Sequence, residues 1–326
     1  MSTAPVPQPR AGRRLAGWAG LVVSLVSLAG LVWWASRQEA PTLPTSGGQI
    51  AALAGAVGLY FLACAVRGER WQVLLLENGA APKRADTYSL IAVGYLGNNI
   101  LPARAGDALR VVLLTPRAKT DARTVIGTLV AERLCDVLVL GLLFVLLAYG
   151  LVSGEGTDLF GDRLPTVAAI AGALLVVAVV LTALLYTRGH LSRVVDFIRP
   201  MAAATANLRG RHGAEVIVLT IVTWALEGGV WYLTAVAADL GIDPVEALYI
   251  LALCSMLVLI PAGPGYAGTM DTGVVVGAHA VGAAKGASVG YLILLRFVLM
   301  IPIGLAGLVL GTVLYGGIQK VLRASS

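Results

Sequence analysis

Six apolar runs, each long enough to cross a bilayer as an α-helix, decide what this chain can fold into. They are Leu15–Ser36, Gln49–Val66, Ala122–Leu151, Leu164–Tyr186, Ala214–Ala238 and Ser288–Gly316. About 20 apolar residues in a helix span a hydrocarbon core of ~30 Å. Lipid offers no partner for backbone N–H and C=O groups, so such runs must satisfy them internally, as helices. The composition agrees, with 58% hydrophobic and 13% charged residues and a mean hydropathy of +0.84. A soluble domain carries roughly twice that share of charge. The expectation is an all-α polytopic membrane protein with one membrane domain over residues 15–316. A disordered basic tail (1–14) precedes it, and a short cytoplasmic tail (317–326) follows. Leu15–Ser36 comes after Arg13 and Arg14, as a signal peptide would. Its apolar core is longer than a signal sequence needs and ends in Trp33 and Trp34, so it reads as a retained span.

Two further apolar segments, Thr87–Leu101 and Val245–Ile260, are too short to cross. At about 15 residues each they reach roughly 23 Å as helix. The first ends at Pro102 in NNILPARAGDALR, and the second ends at Pro261 in PAGPGYAG. Each break leads into another short helical stretch, Asp107–Leu114 and Thr269–Ala283. Short helix, Pro/Gly break and short helix predict a re-entrant hairpin. The residues making the breaks are Pro102 and Gly106 in the first, and Pro261, Pro264, Gly265 and Gly268 in the second.

Charge sets the orientation. With the N-terminus inside and both hairpins returning to the side they left, nineteen Lys and Arg fall inside and three outside. The positive-inside rule therefore predicts cytoplasmic N- and C-termini. It also accounts for the net charge of +6, which in a soluble chain would suggest nucleic acid as a partner. Span, span, hairpin, span then occurs twice in opposite orientation, over about 15–151 and 164–316. Six long spans and two opposed hairpins make an inverted-topology repeat, and interrupted helices at matching places in two halves point to a transport site. His190–His212 is too charged to span and reads as an interfacial segment touching anionic headgroups.

No hydrolase elbow, P-loop, HExxH or paired CxxC pattern occurs. Cys64, Cys135 and Cys254 lie in apolar segments and read as packing residues, and His190, His212 and His279 are scattered. Neither a metal nor a cofactor is expected. The chemistry must lie in charges that the membrane makes expensive. Glu132, Arg133 and Asp136 stand well inside a span, where an unpaired charge costs at least ~2.5–3.5 kcal/mol. They read either as an ion-pair cluster fixing helix packing or as a polar site wall, with Arg133 meeting an anion. Arg104 and Arg110 flank the first break, where arginine forks suit phosphate oxygens. As loop residues they would serve only the positive-inside bias. Asp107 is placed to cap the second half-helix. Asn98 and Asn99 either line a cavity or satisfy broken backbone. Arg296 needs an acid, Asp271 or Glu227, and Glu227 near mid-span suggests proton coupling, cation contact or a salt bridge.

Four stretches together, RGERWQVLLLENG, YLGNNILPARAGDALR, TLVAERLCD and LIPAGPGYAGTMD, resemble the flippase-like membrane region of lysylphosphatidylglycerol synthases and its stand-alone relatives. The matching positions are Asn99, Pro102, Arg104, Gly106, Asp107 and Arg110, then Glu132, Arg133 and Asp136, then Pro264, Gly265, Gly268 and Asp271. The third motif departs from the family pattern, which has Gly where Tyr266 stands and Glu where Asp271 stands. The resemblance implies a lipid translocase rather than an enzyme, moving a polar, phosphate-bearing lipid across the bacterial inner membrane. The lysyl-lipid synthases carry a soluble aminoacyl-transferase domain after this region. The sequence ends at Ser326, so the expectation is a stand-alone member that makes no aminoacyl lipid, with a polyprenyl-phosphate sugar or another phospholipid equally suited as cargo.

In that reading Arg104, Arg110, Arg133 and Arg296, with Asn98 and Asn99, receive the headgroup. Asp107, Glu132, Asp136, Glu227 and Asp271 line the cavity and hold the arginines. The partners expected are a membrane lipid, anionic headgroups at the cytoplasmic face and, as an open option, further copies of the chain. Two alternatives remain: an ion-coupled transporter of a small anion, and a membrane-embedded glycosyltransferase. The latter would need a general base and usually a metal site.

Overall fold

The computed structural model describes residues 44–101, 105–153, 210–257, 264–266 and 268–316. The runs Leu15–Ser36 and Leu164–Tyr186, both tails, nearly all of His190–His212, and Pro102, Arg104 and Pro261 lie outside these residues. Eight α-helices make up the described chain: α1 (Gly47–Glu77), α2 (Arg84–Ile100), α3 (Ala105–Leu114), α4 (Ala122–Ser153), α5 (Gly210–Ala237), α6 (Pro244–Leu257), α7 (Thr269–Ala280) and α8 (Lys285–Tyr315). A 3-10 turn, Pro264–Tyr266, precedes α7, and no strand occurs among the described residues. Three of the helices are long and apolar enough to cross a membrane: Gly47–Glu77, Gly210–Ala237 and Ala287–Tyr315. α4 is longer still, at 32 residues, but carries Glu132, Arg133 and Asp136.

Local signals explain the helix ends. Ser46 caps α1 in a capping box with Gln49, its hydroxyl accepting the Gln49 N–H at 3.2 Å. Asp121 accepts the Thr124 N–H at 2.7 Å ahead of α4. The hydrogen bonds from Thr124 hold the Asp121 carboxyl below its ordinary pKa. α8 ends at Gly316, whose φ of 80° is the left-handed conformation that glycine tolerates best.

One expectation is corrected here. The apolar run Gln49–Val66 stops at Arg67, and the positive-inside count places Arg67 and Arg70 among the nineteen cytoplasmic basic residues. The helix continues to Glu77 and buries Arg67 and Arg70. These two arginines are therefore structural charges inside the body, not part of the positive-inside bias.

Helices inside a bilayer gain nothing by hiding apolar side chains from lipid tails, so close packing of small residues must hold them together. Glycines stand at the main contacts. Gly55 of α1 receives Leu233 of α5, and Gly229 of α5 receives Leu59 of α1. Gly307 of α8 lies against the Ala92 backbone of α2, and Gly273 of α7 against Cys254 of α6. α2 and α3 pack where Gly97 meets Gly106. The outward faces are apolar: Ile301, Leu305, Val309 and Val313 form an exposed stripe along α8, and Leu138, Leu142 and Leu146 one along α4.

Gly106 is the tightest point. A Cβ added there would stand 1.9 Å from the Gly94 carbonyl oxygen and 2.6 Å from Asn98. Gly106→Ala is therefore expected to destabilise the fold by more than the roughly 1–3 kcal/mol usual for overpacking, because the obstacle is backbone. A monodispersity profile and thermal melt of the detergent-solubilised variant would measure this, and a wild-type melt would contradict the close approach.

The second break has its own backbone constraint. Gly265, Tyr266 and Gly268 all have positive φ, at 62°, 57° and 89°. Tyr266 thus holds a conformation that costs a residue with a Cβ about 1–2 kcal/mol. This gives a physical reason for glycine in the family pattern at that position.

Candidate functional site

The helices surround a cavity of about 180 Å³, to which all eight and the 3-10 turn contribute. Its walls differ in chemistry. α1 to α5 supply Arg67, Asn98, Asp107, Arg110, Glu132, Arg133, Asp136 and Glu227. Leu251, Cys254, Met256, Tyr266, Met270 and Leu299 supply an apolar, sulfur-bearing wall from α6 to α8 and the turn, with Ser255 among them. Tyr60, Tyr95, Trp224 and Trp231 also line it, and Ile91, Gly94, Val137 and Leu140 add apolar surface from α2 and α4.

Arg70 organises the charged wall from behind. It is fully buried, and donates to Asp136 Oδ1 at 2.7 Å, Glu132 Oε1 at 2.9 Å and Thr220 Oγ1 at 3.0 Å. One guanidinium thus ties α1 to α4 and α5. Arg67, one turn earlier, donates to Glu227 Oε1 through Nη2 at 2.6 Å and Nε at 3.2 Å, and lies 4.9 Å over the Trp224 ring. Trp224 Nε1 donates to Asp136 Oδ1 at 3.1 Å. Glu227 is therefore a paired carboxylate, not a lone one.

Arg110 is also committed. Its guanidinium stacks 4.0 Å over Trp71 and donates to Glu132 Oε2 at 3.1 Å, and the residue is buried. It also borders the cavity, so part of its donor set is engaged in packing beside the lining. Among the described residues its buried Nε has no partner, and neither does the buried Trp231 Nε1.

Arg133 differs from these. Its side chain is 42% exposed, and its ion-pair contacts among the described residues are long: 3.6 Å to Asp136 and 3.8 Å to Asp107. Asp107 meets Arg110 at 3.5 Å and borders the cavity. The Gly106 N–H that begins the second half-helix is capped not by Asp107 but by Asn98 Oδ1, at 3.0 Å. Asn98 thus both lines the cavity and ties α2 to α3. Asn99 turns away to donate to the Met300 carbonyl at 3.3 Å. Of the two acids considered for Arg296, Asp271 is the one it meets, Nε donating to Oδ1 at 2.7 Å and Nη2 to the same oxygen. Asp271 also accepts the Gly268 N–H at 2.9 Å. No group of three or more His, Cys, Asp or Glu with metal-binding placement occurs among the described residues.

The family model for the lysylphosphatidylglycerol synthase TM region matches residues 17–307. The chain belongs to that family. A curated relative, the glycosyltransferase AglD of Haloferax volcanii, is 24% identical over 305 residues, covering 81% of this chain and 49% of that protein. The chain thus spans about half the length of the relative it matches. No solved structure matches it.

Within this family fold, sequence reasoning passed over Arg67, Arg70, Trp71, Trp224 and Trp231. RGERWQ carried a usable signal: Arg67, Arg70 and Trp71 are spaced i, i+3, i+4, one face of a continuing helix. Ending the span at the first charge hid it.

Proposed function

We propose that this protein is a flippase-like lipid translocase of the cytoplasmic membrane that moves a phosphate-bearing lipid and catalyses no group transfer. The observation carrying this reading is the two-sided cavity, with charge and amide groups from α1 to α5 facing an apolar and sulfur-bearing wall from α6 to α8. A small soluble anion would need only the first wall, whereas a lipid's headgroup–tail junction uses both. Arg133 is the headgroup ligand, half-exposed and loosely paired. Arg67, Arg70 and Arg110 with Glu132, Asp136 and Glu227 form its fixed frame.

The inverted repeat, with cytoplasmic termini, supplies alternating access. It is supported by the packing itself. α1 packs on α5. α2 packs on α8 as α4 does on α6, and α2 packs on α3 as α6 does on α7. α1 contacts α2, α4 and α8, and α5 contacts α6, α8 and α4. α3 contacts α4 as α7 contacts α8. Exchanging α1, α2, α3 and α4 for α5, α6, α7 and α8 leaves this pattern unchanged.

The family's name concerns an aminoacylated phospholipid and the relative's name glycosyl transfer. A membrane region common to both suits handling of a lipid better than either transfer.

Thermal shift of the purified full chain separates the two transport readings. A phospholipid of suitable headgroup is expected to raise the Tm more than diacylglycerol does, with the difference lost in Arg133→Ala. Glycerol phosphate at millimolar concentration should leave the Tm unchanged. Stabilisation by glycerol phosphate alone, equal to that by the lipid, would favour the small-anion transporter.

A further inference from the structure

The acid–arginine pair at the mouth of the first hairpin has a counterpart in the second half. Asp107 lies in the first turn of α3 and Asp271 in the first turn of α7. Arg133 and Arg296 stand equally far from the starts of α4 (Ala122) and α8 (Lys285). Asp107 faces Arg133, and Asp271 faces Arg296. The halves therefore carry the same pair on equivalent elements.

The pairs are not in the same state. Asp107 and Arg133 are 3.8 Å apart with side chains 27% and 42% exposed, and both border the cavity. Asp271 and Arg296 are in direct hydrogen-bond contact with side chains 7% and 22% exposed, and Arg296 Nη1 also reaches the Gly265 carbonyl at 3.3 Å. One pair is open and the other closed within a single chain. The closed pair adjoins Tyr266 and Met270, which line the cavity from the other wall.

We infer that Asp107–Arg133 and Asp271–Arg296 are two equivalent gates used in alternation: each arginine is an anion ligand at its own end of the path, and each aspartate reclaims it when that end closes. This rests on the inverted-repeat reading above and adds a second anion site, at Arg296. A phosphodiester bound to Arg133 competes with Asp107 for the same donors, so occupancy and closure exclude each other at each end. The swap between ends couples the two pairs, and coupling between sites is reciprocal.

Cysteine accessibility tests the coupling without requiring any lipid to move. Val137→Cys reports the first end, because Val137 lies one helical turn after Arg133 and lines the cavity, and Thr269→Cys reports the second, because Thr269 begins the helix that carries Asp271. Cys64, Cys135 and Cys254 are buried, so the parent chain gives the background for a charged, impermeant maleimide on detergent-solubilised full chain. Asp271→Asn is expected to speed labelling of the Thr269→Cys reporter about five-fold or more and to slow labelling of the Val137→Cys reporter by a similar factor. Asp107→Asn should do the reverse, and as the more exposed acid it keeps the test available if Asp271→Asn fails to fold. Changes confined to the mutated end, or none at either, would overturn the inference. Reciprocal labelling in a chain that moves no lipid would refute the proposed cargo but not the gates. Lipid movement without reciprocity would refute the gates alone.

Discussion

Arg70→Ala should prevent accumulation of folded protein. Arg70 is fully buried and holds two carboxylates, Glu132 at 2.9 Å and Asp136 at 2.7 Å. Among the described residues, removing it leaves Glu132 with Arg110, and Asp136 with Trp224 and the longer contacts to Arg67 and Arg133. Breaking a buried ion pair by deleting one partner costs about 3–5 kcal/mol, because the remaining charge is uncompensated. That is a large part of a typical folding free energy of roughly 5–15 kcal/mol. The double variant Arg70→Met, Asp136→Asn removes one charge of each sign, leaves Glu132 with Arg110 and should recover part of the loss. Expression level and thermal melting in detergent would measure both. A stable Arg70→Ala protein would mean that Arg70 does not tie α1 to α4 and α5.

Arg133→Ala should behave in the opposite way, folding normally but losing transport. Its contacts to Asp107 and Asp136 lie beyond hydrogen-bond length, and both acids keep other arginines. A charge-assisted hydrogen bond to a bound phosphate contributes about 1.5–3 kcal/mol. Since ~1.4 kcal/mol corresponds to tenfold, headgroup translocation should fall about ten-fold or more while the melt stays near wild type. Arg133→Lys should retain part of the rate, because it keeps the charge but not the planar fork. The contrast between Arg70 and Arg133 is sharper than either result alone, since an indiscriminate charge requirement would make the two variants alike.

Much of the fold can be read from periodicity and breaks. The short segments ending at Pro102 and Pro261 correspond to α2 and α6, and the stretches after them to α3 and α7. The spans beginning near Ala122, Ala214 and Ser288 match α4, α5 and α8 within a few residues. The clear failure was α1. Hydropathy ends a span at its first charge, but a helix ends only where its backbone bonding ends. Arg67 and Arg70 stay inside because acids from α4 and α5 meet them, and those partners lie far away in the chain. The same distance hid the difference among the arginines. Arg110 and Arg133 look alike in sequence, both beside acids near the hairpin. Only packing separates them, since Trp71 and Glu132 hold the Arg110 guanidinium while Arg133 has only the longer contacts to Asp136 and Asp107.

The central claim is that the charged cavity carries a lipid headgroup across the membrane. Its most direct test is translocation by purified protein in liposomes, with a reporter lipid placed in one leaflet. The panel should include phosphatidylglycerol, lysylphosphatidylglycerol, phosphatidylethanolamine and polyprenyl-phosphate sugars. The account predicts that at least one of these phosphate-bearing lipids crosses at a rate well above protein-free liposomes. The rate should fall about ten-fold or more in Arg133→Ala and persist in a conservative change on the lipid-facing stripe, such as Leu305→Ile. Equal rates for wild type and a folded Arg133→Ala would contradict it, as would movement of every lipid alike, diacylglycerol included.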